Sequence, residues 1–110
     1  MPENSYSVLG QSAPAAATPA DLYTVAALTE AIGSTIVVCN RANAATKFRI
    51  SVRPLGAAQA DEHYLYYDTP ISPNNTFHAT IGMTLATTDV VTVYALDATL
   101  SFTLFGQEIA

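Results

Sequence analysis

From Asp21 onward, apolar residues come in short runs that recur about every ten positions, each closed by turn-forming residues. That rhythm predicts the strands of a sandwich or barrel. Phe48, Ile50 and Val52 alternate with Arg49, Ser51 and Arg53. Successive strand side chains point to opposite faces, so this is a half-buried strand with a polar outer side. Phe77, Ala79, Ile81 and Met83 alternate in the same way with Thr76, His78, Thr80 and Gly82. In the last strand Leu100, Phe102 and Leu104 face inward, while Ser101, Thr103 and Phe105 face away. Residues 22–25 and 90–94 make two further strands.

Residues 29–41 break the alternation. Around Ile36, Val37 and Val38 apolar side chains occupy both parities, which predicts a strand covered on both faces. Residues 63–67 form an aromatic strand. Simple alternation puts Leu65 and Tyr67 on one side, Tyr64 and Tyr66 on the other. Pro70, Pro73, Asn74 and Asn75 mark the clearest turn. Residues 57–61 read as a loop with few constraints.

The first twenty residues differ. Tyr6, Val8 and Leu9 suit a short strand, but Pro14, Pro19 and the alanines between them suit extended structure outside a sheet interior. Residues 1–20 are therefore expected to be an extended arm with Tyr6, Val8 and Leu9 as anchors. Residues 21–110 are expected to be the domain. The arm is expected to become ordered against neighbouring subunits; the alternative is that it folds back on its own domain as an edge strand. With the arm, about eight strands are expected. The predicted fold is an all-β antiparallel β-sandwich, jelly-roll-like or Ig-like. Its predicted core is Ile36, Val38, Phe48, Ile50, Val52, Ile81, Val91, Val93, Phe102 and Leu104.

Charge narrows the function classes. Only 12% of the 110 residues are charged, and the net charge is −5. The cations are Arg41, Lys47, Arg49 and Arg53. A basic stripe that displaces counterions cannot be built from them, so neither nucleic acid nor an anionic membrane is expected as a partner. The sparse charge suits a surface covered by neighbours. Cys39, the single cysteine, sits in an apolar run and is expected to be buried and inert. No apolar stretch is long enough for a membrane helix, and the first residues do not resemble a secretory signal. Synthesis in the cytoplasm is the expectation.

Candidate chemistry is thin. His63 and His78, the two histidines, fall at solvent-facing strand positions with no companions at zinc-ligand spacing. Asp61 and Glu62 are adjacent, so in a strand they diverge instead of converging across a cleft. Asp68, Asp89 and Asp97 flank turns, where Asp binds backbone amides. There is no Gly-x-Ser-x-Gly elbow and no phosphate loop. The triplet Asn74-Asn75-Thr76 matches a glycosylation acceptor, a pattern common by chance. No catalytic residue, cofactor or metal is expected. The suggestive cluster is Tyr64, Tyr66 and Tyr67, because tyrosine joins apolar area to a polar tip at protein interfaces.

Four phrases carry a resemblance: Asp21-Leu22-Tyr23-Thr24-Val25, Ile36-Val37-Val38-Cys39-Asn40-Arg41, Asp89-Val90-Val91-Thr92-Val93-Tyr94 and the ending from Leu100 to Glu108. From about residue 20 to the end, the chain resembles small structural proteins of tailed bacteriophage particles. The resemblance lies in strand layout and phrase and carries no functional residues over. It implies a virion component made in the host cytoplasm: a capsid cement or decoration protein, or a part of the tail, baseplate or collar. Its partners would be capsid or tail proteins of the same particle. It also implies symmetric copies, with a trimer favoured as the homo-oligomer. The competing class is a receptor- or carbohydrate-binding β-sandwich module. That class requires exposed aromatics and acids converging at a loop end.

Overall fold

Nine strands and no α-helix form across residues 4–109, the part of the chain that the computed structural model describes. They are β1 (Asn4–Ser12), β2 (Ala20–Thr24), β3 (Glu30–Asn40), β4 (Thr46–Arg53), β5 (Tyr64–Ile71), β6 (Thr76–Ala79), β7 (Met83–Leu85), β8 (Val90–Ala95) and β9 (Leu100–Ile109). The first sheet runs β1-β9-β3-β6, with β7 also paired to β3; the second runs β2-β8-β4-β5. Every pairing is antiparallel. The architecture is the all-β sandwich that the alternation predicts.

The inward-facing parity of both sheets supplies the core. Ile36, Val38, Leu100, Phe102 and Leu104 of the first sheet meet Phe48, Ile50, Val91 and Val93 of the second, all essentially without solvent contact. Phe48 joins the layers, with its ring centroid 5.0 Å from Phe77 and 6.2 Å from Phe102. Each such side chain stabilises the fold by about 1.5–3 kcal/mol on burial. Asn40 is also buried. Its Nδ2 donates to the Ala44 and Ser72 carbonyls, and its Oδ1 accepts from the Ala42 N–H. It thereby satisfies a corner that would otherwise bury unpaired backbone.

The structure corrects the sequence expectation at several points. The run from Phe77 to Met83 is two strands, which raises the count to nine. Gly82 adopts φ +61° between them, a left-handed conformation that interrupts the pleat. Ile81, expected in the core, falls in this break and is 43% exposed. Val52 is only half-buried at the end of β4.

Of the expected arm, residues 1–3 lie outside the described residues. The rest divides. Asn4–Ser12 does not wait for a neighbouring subunit: it pairs with β9 along its length as an edge strand of the same sandwich, and Ala20 already belongs to β2. The prolines at 14 and 19 follow the strand, so they break nothing within it. Leu9 packs on the core, whereas Tyr6 and Val8 stay exposed.

Gly106 lets β9 approach β3 closely. A Cβ there would overlap the carbonyl oxygen of Ile32.

Candidate functional site

The side chains that could do something outside the core lie on the two outer faces. On β4 the outward parity is Lys47, Arg49, Ser51 and Arg53; the partner strand β8 places Tyr94 beside Arg49 and Thr92 beside Ser51. Arg49 is held on three sides. Its guanidinium carbon lies 4.2 Å from the centroid of Tyr67 and 4.4 Å from that of Tyr94, and its Nε donates to Asp68 Oδ1 at 2.6 Å. Each ring presents its negative π-face to the cation. The hydrogen bond from Arg49 holds the Asp68 carboxyl below the usual carboxylate range.

Two irregularities in β5 create this grouping. Between Thr69 and Tyr66, and again between Tyr66 and Tyr64, β5 has one more residue than the opposed stretch of β4. Asp68, at φ +50°, sits in the first bulge. Each extra residue reverses the alternation, so Tyr64 and Tyr67 both face outward and touch edge-on at 4.9 Å. Tyr66 turns inward between Phe48 and Phe77. The expected pairing of Tyr64 with Tyr66 is therefore overturned, whereas Leu65 and Tyr67 are both exposed, as their shared parity predicts.

An open cleft of roughly 360 Å³ is lined by Tyr64, Tyr67 and Asp61. A smaller recess of roughly 80 Å³ continues from Tyr64 past Gln59, Ser51 and Arg49 to Tyr94. The loop that walls these hollows is pinned, contrary to expectation. Ser51 Oγ donates to Gln59 Oε1 at 2.9 Å, and Arg53 donates to the Ala57 carbonyl at 2.8 Å. Arg53 also pairs with Asp21 at 3.0 Å. His63 closes a 3-10 turn over Asp61–His63, not a strand position, and its Nδ1 accepts from the Ala60 N–H.

The first sheet presents a different outer face. Rows across it bring Val8 beside Phe105, Gln107 between Tyr6 and Ile32, and Thr103 beside Val37. Tyr6 is 86% exposed, Phe105 41% and Ile32 38%. The strands of this sheet contain no Lys or Arg. Their two carboxylates are Glu30, at one end of β3, and Glu108, which turns inward to accept from the Tyr23 hydroxyl at 2.6 Å. Burial, and then Glu108, push the Tyr23 hydroxyl well above the ordinary tyrosine range. A shallow groove of roughly 360 Å³ lined by Glu30, Ile32, Leu85 and Ile109 extends the face at its end. Cys39 lies on this side and is half-buried, not fully buried.

The sequence-predicted contact residues thus fall in three places. Tyr6 and Val8 belong to the first face and Tyr64 and Tyr67 to the second; Leu9 and Tyr66 pack toward the core. His78 stands exposed on β6, in the other sheet from β5, the strand that follows His63. Asp89 does bind backbone amides, those of Leu55 and Ala86. Asp97 instead accepts from the Thr46 hydroxyl. No group of three or more His, Cys, Asp and Glu that could hold a metal occurs among the described residues. Arg49, Tyr94 and Asp68 escaped the sequence reading as a unit, although the alternation did place Arg49 outward. No known family model matches the chain, and no curated protein matches it.

Proposed function

We propose that the chain is a structural component of a bacteriophage particle, a capsid cement or decoration protein acting through protein contacts and without catalysis. The observation that carries the contact half is the outer face of the first sheet. The central strand β3 has apolar side chains on both parities, and among the described residues only one parity is fully buried. On the other side Ile32 and Val37 share an outer face with Phe105, Val8 and Tyr6, interleaved with Thr35, Thr103 and Gln107, and the sheet's strands hold no Lys or Arg. Large apolar side chains exposed on a face without cations suit a protein contact. Few charges oppose its approach to a neighbour, a second copy of the chain first of all. The phage half rests on the resemblance in strand phrases. The alternative, a part of the tail, baseplate or collar, would use the same surface.

Sedimentation at increasing concentration tests the contact. The chain should form a homo-oligomer, with a trimer expected, and Phe105→Lys should leave a folded monomer. A strict monomer at high concentration overturns the self-contact. Mass spectrometry and cryo-electron microscopy of particles from the source test the setting. Stoichiometric copies on the capsid support a cement role, copies on the tail move it there, and absence from the particle refutes the virion reading.

A further inference from the structure

We propose that the outer face of the second sheet is a binding site for uncharged pyranose oligosaccharides, with Tyr67 as stacking platform and Asp61 as acceptor of sugar hydroxyls. Tyr67 is 57% exposed, and Tyr64 stands against it at 80°, 4.9 Å between centroids. One face of a pyranose ring is a patch of C–H groups carrying partial positive charge. An aromatic face carries the opposite quadrupole, so the two attract while apolar area leaves water. Arg49 fixes the platform. It packs on Tyr67 and on Tyr94 and is tied to Asp68, so little rotamer freedom remains to be lost when a ligand lands. Asp61 lines the same open cleft as both tyrosines and makes no ion pair among the described residues. The cleft is open, which suits a chain passing across the face better than a small molecule enclosed on all sides.

Charge selects the ligand. Arg49, the cation at the centre, is balanced by Asp68. Asp61 and Glu62 are exposed at the rim. An anionic glycan would meet those carboxylates, and the one unpaired β4 cation, Lys47, lies toward Asp68 and does not line the cleft, so the neutral sugar is the one accommodated. The site lies on the sheet opposite to the proposed particle contact, and either can fail without the other.

The test uses the intact chain with cellohexaose, maltohexaose and chitohexaose as probes. The chain has no Trp, so tyrosine fluorescence and saturation-transfer NMR report on the rings directly. At least one sugar should bind saturably below about 10 mM, a range ordinary for a shallow site. Tyr67→Ala should weaken it by about tenfold, the loss expected when a stacking ring goes. Tyr67→Phe should retain it, Asp61→Ala should weaken it severalfold, and Tyr6→Ala on the opposite face should change nothing. Thermal melting checks that each variant is folded, and Tyr64→Ala serves as the second platform variant should Tyr67→Ala unfold. Failure of all three sugars to saturate overturns the proposal. So does binding indifferent to Tyr67→Ala and Tyr64→Ala, or binding of oligolysine in place of the sugars, which would make the face a cation site.

Discussion

The two outer faces of this sandwich are built on the same core by the same kind of strand, yet they have opposite surface chemistry. Three of the four cations, Lys47, Arg49 and Arg53, project from β4 in the second sheet, and the Asp21 and Asp68 carboxylates answer two of them. The strands of the first sheet hold no cation, and one of their two carboxylates is folded inward onto Tyr23. What differs is the outward parity alone. Inward residues are apolar in both sheets because both border one interior. Outward residues are free of that constraint, and they differ: ion-paired cations on one side, no cation on the strands of the other. A short sequence can thus carry two surfaces while specifying a single core.

The comparison can be broken most severely from inside. Phe102 belongs to the first sheet but touches Phe48 of the second. Phe102→Ala should cost about 3–5 kcal/mol, the usual range for a core aromatic, and loosen both faces together. Urea unfolding followed by tyrosine fluorescence reads this, and a loss below about 1 kcal/mol would mean the layers are not joined through that ring. A smaller perturbation reaches the first face only. Gly106→Ala forces a methyl against the Ile32 carbonyl and should cost about 1–3 kcal/mol as β9 and β3 shift apart. The amides of β3 and β9 should then exchange faster while those of β4 and β8 hold.

On the second face Arg49→Ala removes two ring contacts and an ion pair that is partly solvent-screened. A loss of about 1 kcal/mol is expected, with Arg49→Lys restoring less than half because an ammonium lacks the planar stacking surface. The gentlest probe is pH. The Asp68 carboxyl titrates below its unfolded value because Arg49 donates to it. Its contribution is therefore present above the unfolded pKa and is lost as pH falls through the folded one. Following the Asp68 carboxyl by NMR should show that low titration move up toward the ordinary carboxylate range in Arg49→Ala. An unmoved titration would separate Asp68 from the Arg49 cluster.

Much of this molecule is legible from local pattern. The inward parities of β4, β8 and β9 follow directly from alternation, and Ile36 and Val38 in β3 are buried as their run predicts. The open apolar side of β3 is legible too, although its cover was assigned to both faces and only one is supplied by the chain. The aromatic cluster was visible as a composition of residues but not as an arrangement. Tyr66 and Tyr67 are neighbours in sequence and part to opposite sides, whereas Tyr64 and Tyr67 share a side only because β5 gains an extra residue against β4. Tyr94 and Arg49 are forty-five positions apart and meet only through the register of β4 with β8.

By itself, then, the sequence determined the all-β class, most of the core and the outward placement of the β4 charges. These depend on a period of two that each strand expresses without reference to its partner. The tertiary structure alone decided the strand order, the docking of β1 along β9, the break at Gly82 and the Tyr64–Tyr67–Arg49–Tyr94 face. Only β4 and β5 pair as sequence neighbours; every other pairing joins strands distant along the chain. A bulge is defined by the count of residues on two strands at once, so no single stretch of sequence encodes where it falls.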